Sequence, residues 1–273
     1  RIDYGNDTAT AVAKGPLSAV RSYLTATGNQ NFGYFGGGEN KSIVERIDYT
    51  SDTGTASPKG PLSTNTKVLS ATGNSDFGYF GGGGTPSAYF STINRIDYSN
   101  DTATAVAKGP LSAAVKYIAA TGNSSFGYFG GGFNPAISGS RRSTVDRIDY
   151  ANDTATASPK GPLSAVKNSL AATSAASNAL PTNTGLLTLL FSASDPRDNV
   201  FPQGTDFGYF TVGDQNTFTT IDRIDYANDT ATATTKGPLS VGRWAIAGTG
   251  NANFGYHSGG INNPGPKSTV DRI

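Results

Sequence analysis

The chain has 273 residues, with 21 Lys and Arg against 20 Asp and Glu and a formal charge of +1, a balance that gives no support for a nucleic-acid partner or a polybasic membrane contact. Cys is absent and His257 is the one His, so thiolate chemistry, disulfides and metal sites built on several His or Cys are excluded. Thirty-five Gly, 13 Tyr and 14 Phe argue against long helices and against a disordered tether, and no apolar run approaches the length that spans a bilayer.

The chain repeats itself. Arg-Ile-Asp-Tyr begins at Arg1, Arg46, Arg95, Arg147 and Arg223, and a shortened copy begins at Arg272. Phe-Gly-Tyr-Phe or a close relative begins at Phe32, Phe77, Phe126, Phe207 and Phe254, and Lys-Gly-Pro-Leu-Ser at Lys14, Lys59, Lys108, Lys160 and Lys236. A period of about 50 residues marks a propeller or a solenoid, in which each repeat is one supersecondary unit.

Each unit reads as four short strands. In the second, residues 69–72 form a small-residue strand, and residues 77–80 form an aromatic one that stops at Gly81-Gly82-Gly83-Gly84. Residues 91–98 form a third strand, with Arg95 and Asp97 on one face and Ile96 and Tyr98 on the other. Ser99-Asn100-Asp101 makes a turn, because Asn and Asp bond their own backbone. Residues 102–107 form a Thr- and Ala-rich fourth strand that Gly109-Pro110 ends. Four strands per unit fit a propeller blade better than a solenoid coil, with the small first strands crowded at the axis.

The order of these elements resembles the kelch repeat: the Gly run (Gly36-Gly37-Gly38), the strand ending in Tyr (residues 46–49), the Thr-rich fourth strand (53–56), Pro61-Leu62 and the basic Lys67. It departs at the fourth strand, where Thr10, Thr55, Thr104, Thr156 and Thr232 stand in place of the usual Trp. The resemblance covers nearly the whole chain and implies an all-β, kelch-like β-propeller of five four-stranded blades; a fold of this kind does not by itself imply a function. Gly-Tyr-Phe-Gly-Gly-Gly and Arg-Ile-Asp-Tyr-(Ser/Ala)-Asn-Asp-Thr-Ala-Thr also resemble propeller-repeat virion proteins of tailed phages of marine cyanobacteria. That likeness implies a virion location.

The chain is read as a single domain, 1–273, whose ring closes when the N- and C-terminal strands share one blade. Arg272-Ile273 competes with Arg1-Ile2 for the same place, and the chain lacks Met and opens on Arg1, so an excerpt of a longer repeat protein is the other arrangement. An insertion at 174–203 interrupts the fourth repeat. Its Leu186, Leu187, Leu189, Leu190 and Phe191 form the most apolar run in the chain and are expected to meet a partner or the propeller itself.

The remaining candidates each have an ordinary explanation. Arg and Asp of Arg-Ile-Asp-Tyr are expected to form ion pairs that hold register. The Asn-Asp-Thr turns at Asn6, Asn100, Asn152 and Asn228 are glycosylation sequons or calcium loops on a functional reading, and tight turns on a structural one. Arg21, Lys67, Lys116, Lys167 and Arg243 are expected to form a basic ring suited to sulfated or phosphorylated glycans, or simply to bond backbone carbonyls. His257 replaces the Phe of the other units, as drift at a partly exposed position. Tyr89, Phe90, Phe133 and Phe218, in the segments after the Gly runs, are the candidate glycan contacts.

No catalytic residue, metal site or cofactor is expected. Kelch-type copper oxidases need several His and a Cys, and sialidase-type hydrolysis needs an Arg cluster with acids at the axis. The expectation is a non-enzymatic structural or interaction module, most simply a capsid decoration, tail or fibre protein that binds other virion proteins or copies of itself. A carbohydrate-binding adhesin for host-surface glycans is the alternative.

Overall fold

The computed structural model describes residues 1–3, 6, 8–136, 140–174, 207–211, 219–250, 254–262 and 265–273. The protein is all β, with three single-turn 3-10 helices and no α-helix among these residues. The first blade is β1 (Thr25–Gly28), β2 (Phe32–Gly36), β3 (Val44–Asp48) and β4 (Ser57–Lys59). The second is β5 (Ser70–Gly73), β6 (Phe77–Gly81), a small hairpin of β7 (Gly84–Thr85) and β8 (Ala88–Tyr89), β9 (Ile93–Asp97) and β10 (Val106–Lys108). The third is β11 (Ala119–Gly122), β12 (Phe126–Gly130), β13 (Val145–Asp149) and β14 (Ser158–Lys160). The fourth is β15 (Ala171–Ser174), β16 (Phe207–Thr211), β17 (Ile221–Asp225) and β18 (Thr234–Lys236). The fifth is β19 (Ala247–Gly250), β20 (Gly255–Ser258), a hairpin of β21 (Ile261–Asn262) and β22 (Gly265–Pro266), and β23 (Val270–Arg272). Every blade is an antiparallel meander, and the five form a β-propeller.

The first strands touch one another in chain order, β1 to β5 to β11 to β15 to β19. Four blades have four strands, and the fifth has three among the described residues. The expected sharing of one blade by the two ends is not what the ends do. The third place in the fifth sheet is filled by β23, which pairs Arg272 with Tyr256. Arg1 pairs instead with Val12 and reaches Asp52 of the first blade. The reason is proximity: β23 follows β20 by a short loop, whereas Arg1 would have to close a loop of nearly the whole chain. β19 and β1 do not pack as closely as the first strands at the other junctions, and both are more exposed than the buried β11.

Three repeated devices join the first four blades to one another. The first is a Phe in a Gly notch. A Cβ on Gly36 would lie 2.5 Å from the ring of Phe80, one on Gly81 2.7 Å from Phe129, and one on Gly130 2.6 Å from Phe210. Only a residue without a side chain admits the ring at that distance. The second is a Tyr stack. Tyr34 lies on Tyr98, Tyr79 on Tyr150 and Tyr128 on Tyr226, with ring centroids 4.7, 4.9 and 4.8 Å apart. The hydroxyl of the second Tyr in each pair meets that of a Thr on the preceding blade's first strand, as Tyr150 does with Thr72 at 3.0 Å.

The third device is ionic. Asp153, in the turn of the third blade, meets Arg95 at 2.7 Å and Lys108 at 3.1 Å and accepts from the Tyr79 hydroxyl at 3.0 Å, all from the second blade. Asp101 does the same for Arg46, Lys59 and Tyr34, and Asp229 for Arg147, Lys160 and Tyr128. Each Arg also lies over a Phe of its own blade, as Arg95 does over Phe77 at 4.3 Å. The pairing is therefore between blades, from Arg-Ile-Asp-Tyr to the Asp of the following blade's turn. The Asp of Arg-Ile-Asp-Tyr serves differently. Asp48, Asp97 and Asp149 cap the 3-10 turns by accepting from the backbone N–H two residues on.

Candidate functional site

At Asn100, Asn152 and Asn228 the turns that suggested calcium put their carboxylates to these two uses, capping and blade joining; Asp7, beside Asn6, lies outside the described residues. Among the described residues no three His, Cys, Asp or Glu side chains are grouped to hold a metal ion. No helix among them is long and apolar enough to cross a membrane.

The expected ring of five basic residues divides into two sets once each is counted from the Ser of Pro-Leu-Ser. Arg21, Lys167 and Arg243 stand three residues after Ser18, Ser164 and Ser240. Each is buried against an acid in the third strand of its own blade: Arg21 on Glu45, Lys167 on Asp222 at 2.7 Å, Arg243 on Asp271 at 2.7 Å. The backbone N–H of each Ser donates to the same acid. In the second blade the two corresponding positions are uncharged, Thr66 and Asn94, and Asn94 accepts from Ser63 N–H. In the third blade Val115 stands where the cation would be, and Asp146 keeps its acid. Asp146 is 6 % exposed, accepts from Ser112, and has no partner for its Oδ1. Asp146 also lines a cavity of about 10 Å³ with Val115, Ile118, Phe129 and Arg142 among others. Burial pushes the Asp146 carboxyl up, against the opposing pull of Ser112 and Arg142.

His257 is not at a partly exposed position: it is 0 % exposed. Its cause lies in the preceding blade, where Thr211 takes the place of the notch glycine. Thr211 fills the space a Phe ring would need, and its hydroxyl lies 3.0 Å from His257 Nδ1. Burial, then the charge of Arg243, holds the His257 pKa down to about 4. The imidazole is a neutral joint between blades, closed off from solvent.

Lys67 and Lys116 belong to the second set, four residues after Ser63 and Ser112, and neither has an acidic partner within ion-pair distance among the described residues. Lys116 is 5 % exposed, donates to the Thr85 carbonyl, and holds its ammonium 4.1 Å from the Tyr89 ring. Burial and the charge of Lys67 together push the Lys116 ammonium down. Lys67 lies 5.7 Å from the Tyr23 ring. Tyr89 packs against Phe133, centroids 6.4 Å apart. Of the four candidate glycan contacts, Tyr89 and Phe133 come together, and the adjoining Phe90 is half-buried, its N–H bonded to Gly83. Phe218 lies outside the described residues, as do Leu186, Leu187, Leu189, Leu190 and Phe191.

Next in the chain comes a set that the neighbouring basic residues conceal. Tyr23, Val68, Tyr117, Ser169 and Ala245, five residues after each Ser, all have φ between 55° and 60°. Left-handed backbone is costly for Tyr and more so for β-branched Val. It is offset by hydrogen bonds between blades, from Val68 N–H to Tyr23, Tyr117 N–H to Val68 and Ser169 N–H to Tyr117. The belt leaves Tyr23 58 % and Tyr117 38 % exposed, at the end of the propeller that also carries Tyr89 and Lys67. The offset from Pro-Leu-Ser is the available sequence signal; aligning on the nearest basic residue hides it.

No protein-family model matches the chain, and comparison with curated proteins finds no significant match.

Proposed function

We propose that the chain is a non-enzymatic structural and interaction module, a component of a phage particle such as a capsid decoration, tail or fibre protein. The observation that supports it is the use of the repeated polar side chains. Arg46, Arg95, Arg147 and their Asp, Lys and Tyr partners, drawn from the recurring strings, are committed to fastening one blade to the next. The particle assignment rests on the likeness of the repeat wording to phage virion proteins. Immunogold labelling of purified particles with antibody to this propeller tests it. Label on the particle is expected; protein abundant in the lysate but absent from particles overturns it. In this reading residues 174–203 supply an assembly contact. Their deletion lowers the assembled mass in light scattering, and unchanged assembly removes that role.

A second reading has its own support. Tyr89 and Phe133 form an aromatic corner beside a buried lysine, which suits a sugar-binding adhesin. A glycan-array screen of the folded protein, with Tyr89→Ala alongside, tests it; failure to bind any glycan sinks this reading and leaves the first.

A further inference from the structure

We propose that the end of the propeller formed by Tyr23, Lys67, Tyr89, Lys116, Tyr117 and Phe133 binds a negatively charged oligosaccharide, its anionic group set at the two lysines and its sugar rings on the tyrosines. This deepens the adhesin reading and depends on it.

The first ground is charge left without a counter-ion among the described residues. The local contrast carries the point. Arg21, Lys167 and Arg243, one position earlier in their linkers, are each neutralised by an acid of the same blade. Lys67 and Lys116 are not. Both meet at Gly84, Lys67 through a backbone bridge and Lys116 through the end of its side chain, and the charge of Lys67 adds to burial in pushing the Lys116 ammonium down. Of the acids, Glu39 feels Lys67, but it is exposed and already accepts from Ser22 N–H and hydroxyl. Burying one ammonium beside another without a carboxylate is unfavourable unless an anion completes the set.

The second ground is the aromatic surroundings. Tyr23 and Tyr117 are held outward by a left-handed backbone, and bulky residues keep that conformation only where the surrounding structure enforces it. Tyr89 lies across the Lys116 ammonium, with Phe133 against it. Exposed Tyr faces with hydroxyls at their rims stack on the apolar face of a pyranose and bond its edge. A cation framed by such faces selects a charged sugar over a bare anion. Sulfate esters and uronic carboxylates share this chemistry.

The test is titration calorimetry on the full chain at two salt concentrations. The probes are a sulfated hexasaccharide, an oligogalacturonate hexamer, neutral maltohexaose and linear polyphosphate. Binding of at least one anionic sugar is expected, weakened about tenfold by Lys67→Gln and by Tyr23→Ala, both at solvent-accessible positions where folding is retained, and unchanged by the control Lys236→Gln. Whichever of the two anionic sugars binds more tightly identifies the source of the charge. Three outcomes overturn the inference. Maltohexaose binding as tightly as the charged sugars leaves an adhesin without charge selection. Polyphosphate binding as tightly leaves a mere polyanion surface. No sugar binding by folded protein removes the adhesin reading as well.

Discussion

The Thr211–His257 joint gives a sharp test of how the blades are matched. At the three preceding junctions a Gly accepts a Phe ring, and the position of a Cβ on Gly130 is 2.6 Å from Phe210. Placing Phe at position 257 against an unchanged Thr211 would force an approach about 1 Å short of normal carbon contact. Overpacking of that kind costs about 1–3 kcal/mol, and the stranded Thr211 hydroxyl, 0 % exposed, adds about 1 kcal/mol or more. His257→Phe alone is therefore expected to cost about 3 kcal/mol. Thr211→Gly alone loses the 3.0 Å bond, opens a small void and places Gly in a strand, for about 2–3 kcal/mol. The double variant rebuilds the joint of the other blades and should return to within about 1 kcal/mol of the parent, a coupling of about 3 kcal/mol or more. Urea denaturation of the four proteins at pH 7 measures it. Repetition at pH 4 adds a second readout. The His257 pKa of about 4 lies below the unfolded value near 6.5. The neutral ring's stabilisation is thus complete above pH 6.5 and lost as pH falls toward 4, by about 3 kcal/mol. The double variant lacks that loss. If the two substitutions prove additive within about 0.5 kcal/mol, blade matching through this notch is wrong.

Asp146→Asn copies the solution seen at Asn94, where the amide oxygen accepts from Ser63. Because the Asp146 pKa is raised, its ionised form is penalised and stability falls as pH rises through the raised value. The variant should gain about 1 kcal/mol at pH 8 and little at pH 4 in urea titrations; equal effects at both refute the orphan-carboxylate account. Asp153→Ala strands the Tyr79 hydroxyl, Arg95 and Lys108 together. A loss of about 2–3 kcal/mol is expected, under the value for fully buried pairs because 24 % of the Arg95 side chain stays in water; calorimetric melting that moves by less than about 1 °C argues against the joint. Val68→Gly relieves a β-branched residue at φ 55° but frees the unfolded chain, so stability should rise by no more than about 1 kcal/mol. A clear loss in the same assay would show that the valine side chain, rather than its backbone, holds the belt.

The repeat, the four strands per unit and hence the propeller are legible in the amino-acid order alone, because alternation, Gly runs and Asn-Asp turns are local signals that recur in register. β6 at Phe77–Gly81 and β9 at Ile93–Asp97 fall where the pattern places them. The use made of each repeated residue emerges only when the blades are set side by side. Arg95 and Asp97 share a strand face, yet Arg95 meets Asp153 of the next blade while Asp97 caps its own turn. The notch glycines read as stop signals until Phe80 is found in the notch of Gly36. His257 reads as drift until Thr211, 46 residues earlier, is seen to have filled the space of its missing ring. The basic residues form one ring in the sequence and two sets in space, since a one-residue shift turns a side chain from its blade's acid toward the open end. Partners between blades lie about 45 residues or more apart, roughly the length of a repeat, and no local pattern carries the identity of a neighbour at that distance.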